Sequence, residues 1–148
     1  DGELVAGKED AWVSLIGFNE HDHLIVGNMT AAEALSWGIT DAVTFGPIFI
    51  VDGSPVAVTG TGGGLNPRTV IGQRADGAVL LLVIDGRQTT SLGATYEDCI
   101  NIMLEYGAIN AANLDGGSSS VMVYKGEIIN NIVSMRSDRT VPTAWIVK

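Results

Sequence analysis

The stretch of this chain best equipped for chemistry is Asn113-Leu114-Asp115-Gly116-Gly117-Ser118-Ser119-Ser120. An apolar run through Ile109, Ala111, Ala112 and Leu114 enters it, and Val121, Met122, Val123 and Tyr124 leave it. The pattern reads as strand, tight polar corner, strand, with the Asp115 carboxylate at a strand end. Gly116 and Gly117 leave backbone N–H groups uncovered by any Cβ, and three serine hydroxyls follow. An exposed acid beside free N–H donors can move a proton or orient a polar substrate. A hairpin turn needs only Asp-Gly, so the second glycine and the serines call for another explanation.

A second acidic corner lies thirty positions earlier. Val79–Ile84 is a continuous apolar run suited to a strand buried on both faces, and it ends at Asp85-Gly86-Arg87. Neither Asp-Gly corner turns at once into another apolar strand. Between them, Thr95 and Asp98 have capping-box spacing, Ile100, Met103 and Leu104 share a helical face, and Gly107 ends the pattern. The strand, a helix over 96–106 and a strand over 109–114 make a βαβ crossover. Its two strands are predicted to run parallel, bringing Asp85 and Asp115 to one sheet edge. Paired carboxylates are the equipment of glycoside hydrolysis. The plainer reading of either corner alone is a turn.

Other elements must hold this edge. Residues 12–18 and 24–26 read as strands around a polar turn at Asn19-Glu20-His21-Asp22. Thr30 and Glu33 form a capping box for a short helix ending at Gly38. Hairpins are predicted around Asp52-Gly53, Ala75-Asp76-Gly77 and Lys125-Gly126, and a closing strand over 141–147. The expected fold is α+β: a mixed, mainly antiparallel sheet with one parallel βαβ unit and helices packed on one face. Trp12, Trp37 and Trp145 sit in apolar patterns and are read as core.

At 148 residues the chain is a single domain's worth, 46% of it hydrophobic, and it has no apolar stretch near the ~20 residues of a membrane span. Net charge is −9, and residues 1–66 hold nine acids against one base, Lys8. All five arginines, Arg68, Arg74, Arg87, Arg136 and Arg139, lie in the second part. Nucleic acid is disfavoured as a partner, because its binding needs a wide basic surface. A small anionic group held by two or three arginines fits the charge pattern. Cys99, the sole cysteine, falls in the helical pattern as a buried thiol. Gly60-Thr61-Gly62-Gly63-Gly64 lacks the Gly-Lys-Ser/Thr ending of a phosphate loop. His21-Asp22-His23 supplies too few ligands for a zinc site and reads as a turn. Ser118, Ser119 and Ser120 lack a Gly-x-Ser-x-Gly elbow, so sugar contact or turn closure suits them better than a nucleophile.

Taken in order, these motifs resemble the phosphodiester glycosidase family over about residues 43–147. Arg68-Thr69-Val70-Ile71-Gly72 matches its arginine strand. Asp85-Gly86-Arg87-Gln88, followed by Ser91-Leu92-Gly93-Ala94-Thr95, matches its first aspartate corner. Leu114-Asp115-Gly116-Gly117-Ser118-Ser119 matches its Leu-Asp-Gly-Gly-Gly-Ser-Ser corner, with Ser118 replacing the third glycine. Asp138-Arg139 stands where the family has a late Glu-Arg, and Gly46-Pro47 matches a Gly-Gly-Pro segment less fully. The resemblance implies hydrolysis of a sugar-1-phosphodiester, N-acetylglucosamine-1-phosphodiester-like, in a cell-envelope or exported glycan, without a cofactor. It implies Asp85 and Asp115 as catalytic acids. Arg68 and Arg139, with Arg87 as a third, would bind phosphate beside Gly116, Gly117, Ser118 and Ser119. The alternative is a non-catalytic carbohydrate-binding or exopolysaccharide-assembly module of the same fold. Family domains begin with further strands bearing an Asn-Gly-Gly-Phe-Phe-like motif, which this sequence does not contain. One domain over 1–148 lacking N-terminal strands is therefore expected, with the missing segment or another copy of the chain at an open sheet edge. The expected location is secreted or cell envelope.

Overall fold

The computed structural model describes residues 8–59, 62–133 and 140–147. Strands β1 (Val13–Asn19), β2 (Leu24–Met29) and β3 (Ile39–Thr44) form one sheet in the order β2-β1-β3. A larger sheet is built from β4 (Ile48–Val51), β5 (Ser54–Pro55), β6 (Arg68–Arg74), β7 (Val79–Ile84) and β8 (Ala108–Asn113), in the order β5-β4-β8-β6-β7. Helix α1 (Ala31–Ser36) covers the outside of the smaller sheet, through Leu15, Met29, Ala34 and Ile39. Helix α2 (Tyr96–Glu105) covers the outside of the larger sheet. A hairpin of β9 (Val123–Tyr124) and β10 (Glu127–Ile128) stands apart.

Strand alternation explains this layering. In β6, Val70 points to α2 and Ile71 to the smaller sheet, so consecutive residues enter different cores. Ile16, Leu24, Val26, Ile48, Ile71 and Ala112 fill the space between the sheets. Beneath α2, Cys99 and Met103 lie one helical turn apart and are buried against Phe49, Val70 and Ala111. Burial pushes the Cys99 thiol up to about 11, so it stays an inert core group. A capping box starts α2: Asp98 N donates to Thr95 Oγ1 at 3.1 Å, and Thr95 N donates to Asp98 Oδ2 at 2.8 Å. The two sheets are clasped by polar side chains as well. Leu24 N donates to Gln73 Oε1 at 2.7 Å, and Asn110 Nδ2 donates to Leu24 O at 2.9 Å.

Several expectations need correction. Among the described residues the fold is mostly antiparallel β with two short helices, and these lie on opposite outer faces instead of one. Every strand pairing among the described residues is antiparallel. β7 and β8 do run in one direction, but each pairs with β6 from an opposite side. The tight 75–77 turn delivers β7 to β6 as a hairpin partner, so α2 must cross over β6 before β8 can join. β7 is consequently an edge strand, and its outward residues Val79 and Leu81 are 43% and 42% exposed. Residues 140–147 form no strand, consistent with the missing N–H of Pro142. β3, which its mixed polar sequence concealed, joins the smaller sheet instead. Trp12 and Trp37 are 68% and 57% exposed, whereas Trp145 packs edge-on against Phe18 at 5.3 Å. No helix among the described residues is long and apolar enough to cross a membrane.

Candidate active site

The start of β6 lies between the ends of β7 and β8. Arg68 pairs in register with Ile84 on one side, and Val70 with Asn113 on the other. Asp85 and Asp115, just beyond those strand ends, therefore stand at one edge of the sheet. With β6 between them, their backbones are two strand spacings apart, about 10 Å.

Pro67 explains the glycines of both corners. A Cβ on Gly86 would lie 2.7 Å from Pro67 N, and one on Gly116 would lie 2.7 Å from Pro67 O. Both Asp-Gly corners thus press on the same buried residue from opposite sides, where no side chain fits. Gly117 N donates to Pro67 O at 2.9 Å, and Leu114 N to Thr69 O at 2.8 Å, so the second corner continues the β6 ladder. That bond takes up the Gly117 N–H, so it is not one of the free donors that the Gly-Gly pair suggests. Gly117–Ser119 then makes a single 3₁₀ turn that holds Ser118 and Ser119 half-buried. Ser120 is buried and its Oγ accepts from Thr69 Oγ1 at 3.1 Å.

The two aspartates have different surroundings. Asp115 is exposed. The Asp85 carboxylate is half-buried and receives three hydrogen-bond contacts from the segment after β10. Asn130 Nδ2 donates to Oδ1 at 3.1 Å, and Asn131 N reaches Oδ1 at 3.0 Å and Oδ2 at 3.1 Å. Ser91 Oγ donates to the Asp85 carbonyl at 2.6 Å and closes the following loop.

The arginines also divide. Arg87 adopts φ +57°, a left-handed conformation that costs a non-glycine residue about 1 kcal/mol. Its Nη2 donates to Asn66 Oδ1 at 2.9 Å. Its guanidinium lies against Gly117, where a Cβ would meet Nη2 at 3.3 Å. Arg87 thus begins in the first corner and ends on the second. Arg68, by contrast, is only 5% exposed. Its Nε donates to Ala94 O at 2.9 Å, and Nη2 donates to the carbonyls of Gly62, at 2.8 Å, and Gly64. The guanidinium also sits 4.2 Å from the Tyr96 ring centroid. Arg68 therefore pins the glycine loop to α2. Arg139 lies outside the described residues, as does Asp138.

Asn66, Asn130 and Asn131 are site residues that the sequence reading missed. Asn66 also donates from Nδ2 to Gly64 O at 3.3 Å, so it joins the glycine loop to Arg87. The Asn130-Asn131 pair, polar after an apolar hairpin strand, was the available signal. Spacing alone does not show that it folds back onto Asp85, 45 residues earlier in the chain.

The phosphodiester glycosidase family profile matches residues 1–148, including the first 42, which the motifs alone did not reach. The SPbeta prophage-derived uncharacterized protein YomE of Bacillus subtilis is 37% identical over 121 residues, covering 78% of this chain and 19% of that protein. Bovine N-acetylglucosamine-1-phosphodiester alpha-N-acetylglucosaminidase is 32% identical over 81 residues, covering 55% of this chain and 14% of that enzyme. The chain thus spans less than a fifth of the length of either relative. In fold, it is similar to the pro-peptide-inhibited catalytic domain of the zebrafish enzyme of that name, with TM-score 0.70 and 21% identity. That match covers 98% of this chain and 52% of the zebrafish one. A hypothetical protein from Synechocystis is similar over 74% of this chain and 21% of its own, with TM-score 0.59 and 24% identity. With both aspartate corners at one edge and the profile matched from end to end, the chain belongs to the phosphodiester glycosidase family.

Proposed function

We propose that this chain hydrolyses a sugar-1-phosphodiester, of the N-acetylglucosamine-1-phosphodiester type, in an exported or cell-envelope glycan. The observation that carries the reading is the shared edge: two aspartate corners flank the start of β6, and Arg87 crosses from one to the other. The guanidinium of Arg87 supplies a planar pair of donors for phosphate oxygens beside the exposed Asp115. Asp115 serves the sugar side as base or nucleophile, and Asp85 is the second carboxylate. The C1–O bond breaks, and the electron pair leaves with the phosphate. A phosphate leaving group is weakly basic, so it needs little protonation from a general acid. The family resemblance assigns Arg139 to the phosphate as well. Arg68 supports the site from beneath by holding the glycine loop.

A chromogenic N-acetylglucosaminyl phosphodiester, assayed beside the matching plain glycoside, tests this. The proposal expects turnover of the phosphodiester alone, with ¹⁸O from labelled water entering the sugar. Label in the phosphate, or equal turnover of the plain glycoside, contradicts it. Saturable sugar-phosphate binding without turnover identifies a carbohydrate-binding module instead.

A further inference from the structure

The two aspartate corners are joined by one side chain outside both of them. Asn130 Nδ2 donates to Asp85 Oδ1 at 3.1 Å and to Ser120 O at 2.9 Å, while its Oδ1 accepts from Met122 N at 2.8 Å. Ser120 and Met122 lie on the segment that leaves the Asp115 corner. Asn130 therefore grips that segment at two points and the first corner's carboxylate at a third. The amide has only one satisfactory orientation. Turning it over would set NH₂ against the Met122 N–H, and the amide oxygen against the Ser120 carbonyl and the Asp85 carboxylate. The neighbouring residue reinforces the bridge. Asn131 N donates to Asp85, and Asn131 O accepts from Gln88 Nε2 at 3.0 Å.

We infer that Asn130 is a positioning residue that fixes the two aspartate corners relative to each other and orients the Asp85 carboxylate. A carboxylate oxygen offers about two acceptor positions. Oδ1 of Asp85 takes Asn130 Nδ2 and Asn131 N, whereas among the described residues Oδ2 takes only the second arm of the Asn131 N–H. Oδ2 thus keeps an acceptor position for a substrate or an attacking water. The inference rests on the proposed phosphodiester hydrolysis for its catalytic meaning, and on the hydrogen bonds alone for the bridge itself.

Two substitutions separate positioning from loop support. Asn130→Ala removes every bond. Asn130→Asp keeps the acceptor for Met122 N, but sets a second carboxylate against Asp85. If Asn130 positions Asp85, kcat falls about tenfold in Asn130→Ala with KM within about threefold, since small misplacements of reacting groups are costly. Asn130→Asp then falls further, toward the level of Asp85→Asn. If Asn130 only supports the loop, the order reverses and Asn130→Asp keeps more activity than Asn130→Ala, which overturns the inference. Should Asn130→Ala fail to fold, a near-normal kcat in Asn130→Asp overturns it equally. Urea unfolding supplies a readout without substrate. Asn130→Asp is expected to lower the midpoint beside Asp85, and to lower it much less in an Asp85→Asn background. An identical shift in both backgrounds refutes the bridge, whether or not the protein hydrolyses a phosphodiester; absence of turnover in the unaltered protein refutes only the proposed function.

Discussion

Two Asp-Gly corners flank the same proline, yet their aspartates are held in different ways. At the first, the side chain is held: Asp85 takes donors from Asn130 and Asn131, and its loop is closed by Ser91. At the second, the backbone is held: Leu114 and Gly117 are tied to the β6 ladder, while Asp115 itself is exposed. The same dipeptide thus gives a half-buried carboxylate in one place and an exposed one in the other. Sequence spacing does not distinguish them, because the difference arises from residues that return to the first corner from the end of β10. An accessible acid suits direct contact with the sugar. An oriented acid suits assistance from a fixed direction.

The largest effect should fall on the accessible acid. Asp115→Asn is expected to lower kcat/KM for the phosphodiester about a thousandfold, and Asp85→Asn about tenfold to a hundredfold, as measured by steady-state kinetics. Equal losses would erase the contrast between the corners. The arginines sharpen it next. Arg68→Ala should cost about 3 kcal/mol of stability in urea unfolding, because the carbonyls of Gly62, Gly64 and Ala94 lose a charged donor. Arg87→Ala should leave stability nearly unchanged and raise KM about tenfold, the scale of one lost charge-assisted hydrogen bond. A KM effect confined to Arg68 would return the phosphate to that residue. Gly116→Ala should cost about 2 kcal/mol, since its Cβ would meet backbone, not a side chain free to swing away. The smallest effect is at the start of α2. Thr95→Ala should cost about 1 kcal/mol by removing the cap of α2. Hydrogen bonds from the Thr95 side chain and backbone lower the Asp98 pKa below its ordinary value. Its contribution is therefore present above the unfolded carboxylate pKa of about 4 and is lost as pH falls through the lower folded value. Stability below pH 4 should accordingly differ less between Thr95→Ala and the unaltered protein than at pH 7.

Local features were legible in the sequence, and long-range order was not. Thr95 with Asp98 and Thr30 with Glu33 gave both capping boxes, because each box is complete within four residues. Both Asp-Gly corners and the hairpin at Lys125-Gly126 were legible for the same reason. Strand order was not. The βαβ pattern placed two strands in one direction, but could not show that β6 would lie between them. Arg68 sits in an apolar strand, and nothing in its neighbours says whether the guanidinium turns into the protein or out of it. The structure turns it inward, over Tyr96. Asn130 was invisible as a site residue because its meaning depends on three partners scattered from Asp85 to Met122.

The central claim is that both corners serve one reaction, and a double-mutant cycle tests it most directly. kcat/KM for the sugar phosphodiester would be measured in the unaltered protein, Asp85→Asn, Asp115→Asn and the double variant. Groups that act as a unit are strongly non-additive. The double variant is therefore predicted to be about as slow as Asp115→Asn alone. A loss equal to the product of the two single losses would show that the corners act independently and contradict the shared site.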